Sequence, residues 1–444
     1  MSSRLLSLLT IIPCHLSVAR SDTAATASSI DLEPVWSAHP VGFALLTHPP
    51  FQFAAYYDAE RRMTVAQRRL DSTTWTFQRL PTSLVWDSHN DVTLTLDSTN
   101  HLHVAGNMHN VPLIYFRSEK PLDASSLRPV KSMTGLRESH VTYPLFLKDA
   151  NNRLIFRYRD GGSGKGDDLY NVYNPESKTW SRLINGPLLS GEDLRSAYAS
   201  KPTASPDGTF HMVWVWRDTP DCATNHSISY ARSTNLVDWT NTAGKPIPLP
   251  ITLATGDVID PVPPGGGLLN INREIGFDNS NQPIVTYHKY DEHGDLNIYA
   301  AKPNNDRWKI TKISDWKNHH VEFSGGGTIV FHVRVGAATP IGQGRIKIPY
   351  RREGESGTWI LDEKTLRPIP GATPPPAIAP IPPALAKLQS TFPGMKIRTT
   401  QDIGTPPPQT HYRLIWETLD ANRDLPRQPP LPAPSMLRLI TIKP

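Results

Sequence analysis

VTLTLDSTNHLHVAG (92–106) reads as one complete β-hairpin. Apolar and polar residues alternate up to Leu96, an Asp-led turn follows, and an apolar strand returns through Leu102 and Val104. The pattern recurs as YPLFLKDANNRLIFRY (143–158), PTASPDGTFHMVWVW (202–216) and IGFDNSNQPIVTY (275–287). Each turn opens on an Asp (Asp97, Asp149, Asp207, Asp278) and continues with Asn, Ser or Gly, which tolerate the backbone angles of a tight reversal. Strands of similar length bring both ends of each unit back to one level. There the sequence sets His89, His109, His140, Tyr143, Arg159, Tyr198, Arg217 and His288. Ionisable groups gathered at one end of a repeated scaffold predict a site.

Composition agrees with a β-protein. A hydrophobic content of 38% is low for helix-covered sheets but suits many short strands with one wet face, and 43 prolines argue against helices. The net charge of +5 mildly favours an acidic partner. Without a run of five or more Lys/Arg, nucleic-acid binding is not expected. Residues 1–19 read as a signal peptide: Arg4 precedes an apolar stretch, and Ser17-Val18-Ala19 supplies the small residues of a cleavage site. The expected product is a secreted, monomeric chain without a membrane span, and 20–444 is expected to form a single domain. Cleavage would remove Cys14, leaving Cys222 alone and no intramolecular disulfide.

A second repeat overlaps the first. Polar turns ending in Trp occur at DSTTW (71–75), NPESKTW (174–180), STNLVDW (233–239), NNDRW (304–308) and GESGTW (354–359), and they resemble worn Asp-box turns of sialidase-type propellers. Units start near residues 51, 90, 140, 198, 270, 320 and 411, mostly about 40 to 50 residues apart, the size of a four-stranded blade. The fold expected is all-β, a seven-bladed β-propeller, with a β-sandwich pair as its main structural rival. Residues 366–410, rich in PPP and PIPP, read as an extended excursion, since Pro cannot donate to a ladder. The remaining C-terminal residues are expected to close the ring against a strand around 41–57.

Hairpin geometry makes His89 and His109 neighbours at one end of one unit, with Asn110 at the same bend. The next unit brings in His140 and Tyr143 and sends out Arg157 and Arg159 on one strand face, with Tyr158 on the other. Tyr198 and Arg217 belong to the unit after that. The Gly-rich stretch 161–166 lacks GK[ST] and a following helix, so it reads as a loop rather than a phosphate cradle. A His pair, a Tyr and an Arg around one cleft suit proton abstraction beside a carboxylate. The Arg neutralises the developing charge, while His or Tyr takes one proton and gives another to the departing oxygen. That is β-elimination at a uronic acid. Hydrolysis calls for two facing carboxylates, and Asp160, Glu192 and Asp193 are the acids nearest in sequence. Separately, Cys222, His226 and His288 read as ligands of a structural zinc, with His211 or another His as a fourth. No organic cofactor is indicated.

SHNDVTLTLD, LHVAGNMHNVPLIYFRS, VTYPLFL, LIFRYRDGGSGKGD, HSISYARSTNLVDW, IVTYHKYD and WETLDANRDLPRQPP, spread from about 86 to 430, resemble the BNR-repeat polysaccharide lyases of the ulvan lyase and rhamnose–glucuronate lyase type. The resemblance implies a seven-bladed propeller that cleaves rhamnosyl-uronate linkages in an anionic polysaccharide and leaves an unsaturated uronate. By position it implies His89, His109, Tyr143 and Arg159 as catalytic residues, Tyr198 at the active site, and a structural zinc fitting Cys222, His226 and His288. Asn110, His140, Tyr198 and Arg217 complete the expected substrate contacts. The rival readings are a sialidase-like glycoside hydrolase and a carbohydrate-binding propeller without catalysis. A lectin would repeat its aromatics from blade to blade, whereas the open-end residues here differ.

Overall fold

The computed structural model describes residues 26–376 and 379–443, so the expected leader at 1–19 lies outside the described residues. The fold is all-β. Two single-turn 3-10 helices, Ala124–Ser126 and Cys222–Thr224, are the helices among the described residues, and none is long and apolar enough to cross a membrane.

The 92–106 stretch folds as its alternation dictates. Val92–Leu96 pairs antiparallel with Leu102–Gly106, and between them Asp97 Oδ1 accepts from the amides of Thr99 (2.8 Å) and His101 (2.9 Å). Asp149 does the same for Asn151 (3.0 Å) and Arg153 (2.8 Å), and Asp278 for Ser280 (2.7 Å) and Gln282 (2.9 Å). One carboxylate thus satisfies two turn amides that no ladder can reach. This is why Asp leads these three turns; in the fourth, Ser205 takes the leading place, its N–H bonded to Thr209 O at 2.8 Å, and the expected leader Asp207 stands two residues in, accepting from Thr209 N at 2.9 Å.

Among the described residues every sheet but one has four strands, and the exception has ten. The large sheet narrows to one parallel pair, Gly166 opposite Ser196, where Lys165–Asn174 meets Ser196–Ala199. Strand character changes across each sheet. Phe210–Arg217 (FHMVWVWR) is buried on both faces, whereas the edge strand Thr76–Ser83 is mostly open to solvent. The cores lie between neighbouring sheets: Leu45, Phe53, Val65, Leu94, Val104 and Leu439 form one cluster drawn from three of them. Each fully buried aliphatic side chain there contributes about 1.5–3 kcal/mol.

The chain's two ends share a sheet, but not in the expected way. Thr26–Val35 pairs with Ser435–Lys443, while Ala44–His48 and Phe51–Tyr57 begin the following sheet. The N-terminal strand is polar and largely exposed, so it lacks the apolar alternation that marks the others. Within the Pro-rich 366–410 stretch, Lys396–Gln401 (KIRTTQ) forms a strand against His411–Thr418. Its Ile and Thr residues lie between prolines, at a sheet edge where missing donors cost least.

Candidate active site

A cavity of about 780 Å³ opens where the hairpins end, and His89, His109, Tyr143, Tyr198 and Arg217 line it. His89 sits in the loop leading to Val92–Leu96, and His109 begins the short strand His109–Val111 after Gly106. Their rings stack with centroids 4.2 Å apart. Asp87 holds both: His89 Nδ1 lies 2.7 Å from Oδ1, and His109 Nδ1 lies 2.5 Å from Oδ2. Burial works against the Asp87 charge, but these two bonds outweigh it and hold the carboxyl below its usual range. With Nδ1–H donating to the carboxylate, each Nε2 keeps its lone pair free of any partner among the described residues. A carboxylate-held imidazole of this kind is built to accept a proton.

Tyr143 reaches the cavity through a backbone irregularity. Register slips between Thr142 and Leu145 in the strand Val141–Lys148, and Tyr143 takes a positive φ of 55°. A bulge re-aims one side chain, and positive φ in a bulky residue persists only where its surroundings enforce it. Tyr143 keeps 37% of its surface exposed, but desolvation of the phenol raises its pKa to about 12, with Arg159 and Arg217 pulling the other way, so the hydroxyl carries its proton at neutral pH.

Arg159 lies behind Tyr143, its Cζ 4.9 Å from that ring centre and 5.2 Å from the ring of Tyr198. Its Nε donates to Gly161 O at 3.1 Å, yet Nη1 and Nη2 are buried without a partner. Leaving such donors unpaired costs about 1–3 kcal/mol each, more for a charged group. Arg159 itself does not line the cavity, and its guanidinium lies against the rings of Tyr143 and Tyr198, which do. Arg157, on the same strand face, differs. It is bound to Asp168 (2.8 Å) and to the carbonyls of Ser200 and Ala199, and it serves the fold. Tyr198 OH bonds Ser163 Oγ at 2.6 Å, and Arg217 stacks on Tyr198 at 5.5 Å while donating to Thr219 O and Pro220 O.

Other expected residues fall elsewhere. Asn110 has an exposed side chain, a positive φ of 58° and an amide on Thr142 Oγ1, and it does not line the cavity. His140 is exposed, and its carbonyl receives Gly161 N. The zinc set does not converge. His226 bonds Asp218 and Ser227, His288 Nδ1 lies 2.7 Å from Gly267 O, and Cys222 is a buried free thiol. His211, the candidate fourth ligand, bonds Tyr230 OH and Ser205 Oγ. Cys222, His226 and His288 therefore do not fit a zinc ion. Neighbouring hairpin ends supply the right residue types, but the two imidazoles turn to different partners, and His288 Nε2 is left buried without one. Among the described residues the one cluster with metal-ligand spacing is Asp87, His89 and His109, whose Nδ1 atoms and carboxylate oxygens already bond one another.

Asp87 and Asp424 were not singled out by sequence reasoning. Asp424 accepts from Ser88 N (2.9 Å), Ser88 Oγ (2.7 Å) and Thr328 N (2.8 Å), and its Oδ2 lies 3.6 Å from His89 Nδ1. The DSHND run (87–91) carried a signal for the first, an Asp two residues before a His; nothing in DANRD pointed to the second. The carboxylates lining the cavity are all engaged: Asp91 with Gly42 N, Asp420 with Lys396 and Arg398, and Glu353 near His319 (3.3 Å). Asp160 is bound to Arg137 at 2.6 Å, outside the cavity.

A model described as a BNR repeat-containing family member matches residues 51–316, and the chain belongs to that family. Among solved structures it is similar in fold to the polysaccharide lyase Uly1, at TM-score 0.61 and 12% identity over 94% of this chain and 99% of that one. It is also similar to a PL25 ulvan lyase, at TM-score 0.60 and 13% identity over 91% of this chain and 94% of that one; that enzyme has also been solved bound to -[GlcA(1-4)Rha3S]-. No curated protein matches the sequence.

Proposed function

We propose that the protein is a secreted polysaccharide lyase that cleaves rhamnosyl-uronate linkages by β-elimination. The single observation that carries this reading is the buried, unpartnered Nη pair of Arg159 beside two carboxylate-held imidazoles. Once the Tyr143 ring shifts to open the way from the cavity, a uronate carboxylate satisfies both guanidinium donors at once, and the enolate-like charge that develops on it is stabilised there. His109 Nε2 takes the proton from C5. Electrons of the C5–H bond form the C4–C5 double bond, the C4–O bond breaks, and its pair leaves on the glycosidic oxygen. Tyr143, protonated at neutral pH, gives that oxygen its proton. Water takes no part. The fold likeness to lyases, one of them solved with a glucuronate–rhamnose ligand, supports the substrate class.

The same reading takes the architecture as a seven-bladed ring. Five four-stranded sheets, with the two halves of the ten-stranded one, supply seven units, and the shared sheet of the chain's two ends supports closure.

Incubation with ulvan, gum arabic and glucuronan tests the reaction. The expected result is ultraviolet absorbance of a conjugated, unsaturated uronate on at least one of them. New reducing ends without that absorbance would mean hydrolysis, and binding with neither would mean a lectin.

A further inference from the structure

The wall of the cavity that carries no catalytic candidate is cationic in an unusual way. Val333–Val335 pairs antiparallel with Arg345–Arg352, and the register sets Arg334 directly opposite Arg351. Directly opposed residues of an antiparallel pair project from the same face, where like charges destabilise the sheet. Both side chains are exposed and both line the cavity that holds His109 and Tyr143. Among the described residues neither has an acidic partner within ion-pair distance, whereas Lys396 and Arg398 beside them share Asp420, Arg398 at 2.7 Å. Arg398 nevertheless keeps a buried Nε without a partner. Arg334 stacks over Phe331 at 4.2 Å, which fixes its plane without neutralising it. An unneutralised cation pair raises the folded state's energy unless something anionic joins it.

We infer that Arg334 and Arg351, with Arg398, form a second anion subsite that holds a charged substituent of a sugar further along the chain from the cleaved bond. This rests on the lyase reading of the cavity and deepens it: the substrate is polyanionic, with at least two charged groups gripped at once. The cavity, about 780 Å³, lies toward the upper end of the roughly 300–1,000 Å³ of ligand sites, which leaves space for more than the reacting uronate. The guanidinium pair suits the oxygens of a sulfate ester and of a second uronate carboxylate alike.

The test is binding, in a His109→Ala background so that no turnover occurs, to ulvan, chemically desulfated ulvan and glucuronan. Adding Arg334→Gln and Arg351→Gln is expected to weaken binding about tenfold or more, the loss of one or two charge-assisted bonds, and to flatten its salt dependence. A parent affinity that falls on desulfation assigns the anion as a sulfate ester. Affinity that survives desulfation but falls in the Gln variant assigns a carboxylate. Equal affinities of parent and variant on all three polymers, or no binding by the parent to any, overturn the subsite. The melting temperature separates a structural role: the Gln variant should melt no lower than its parent, since it loses a repulsion, and a clear fall would also overturn the proposal. The lyase reading stands or falls separately, on unsaturated-uronate absorbance from the protein with His109 intact.

Discussion

His109 and Arg159 are both register partners of Thr142, one on each side of it in the same sheet. Two inter-strand spacings of about 4.8 Å therefore separate their backbones, and the proposed base and carboxylate clamp are set by a hydrogen-bonded ladder rather than by loops. Their backbones are thus fixed in advance, but the Nη atoms of Arg159 are buried behind Tyr143 and outside the cavity lining, so a uronate carboxylate reaches them only when the Tyr143 side chain moves aside. Preorganisation of this kind is what makes electrostatic stabilisation effective.

Asp87 orients both imidazoles, so Asp87→Asn should lower kcat about 10²- to 10⁴-fold, the usual range for lost general acid–base catalysis. KM should change little, because the carboxylate touches imidazoles and not sugar. Steady-state kinetics with a melting curve check this. A variant that loses KM instead, or that unfolds, would assign Asp87 to structure.

Arg159→Lys keeps a positive charge but loses the planar fork and its stacking on Tyr143 and Tyr198. The expected loss in kcat/KM is about 10²- to 10³-fold, as for an oxyanion donor removed. Activity within a few-fold of the parent would mean that the carboxylate binds elsewhere.

Tyr143→Phe keeps the ring and its bulge but cannot donate a proton. Cleavage of natural linkages should slow about 10²-fold or more, while a substrate with a good leaving group at C4 should be spared. Equal losses on both substrates would remove Tyr143 from the acid role.

Two buried histidines make stability fall in mild acid. Burial lowers His211 and His288 to about 4, so between pH 6.5 and 4 the unfolded chain binds more protons than the folded one. Their contribution is complete above about pH 6.5 and is lost as pH falls toward 4, on the order of 3 kcal/mol each. Urea midpoints measured across this range should drop, and His288→Asn should flatten the slope. A pH-independent midpoint would contradict the assigned burial.

The hairpins were legible because Asp-turn chemistry is local: Asp97, Asp149 and Asp278 bond amides only two and four residues on. Of the eight residues that strand lengths set at one level, His89, His109, Tyr143, Tyr198 and Arg217 line the cavity, whereas His140, Arg159 and His288 do not. What depends on direction rather than level did not follow. The expected zinc ligands do not converge: His226 turns to Asp218 and His288 Nδ1 to Gly267 O, while Cys222 stays a buried free thiol. Thr26–Val35 escaped notice because an edge strand needs no apolar alternation, and the Arg334–Arg351 pairing needs the register of two distant strands.

The most direct test of the central claim is a crystal structure of the His109→Ala protein with a uronate-containing oligosaccharide bound. The uronate carboxylate is expected on Nη1 and Nη2 of Arg159, with C5–H turned toward the space vacated by the imidazole. A carboxylate placed away from Arg159, or a uronate whose C5–H faces neither His89 nor position 109, would contradict it.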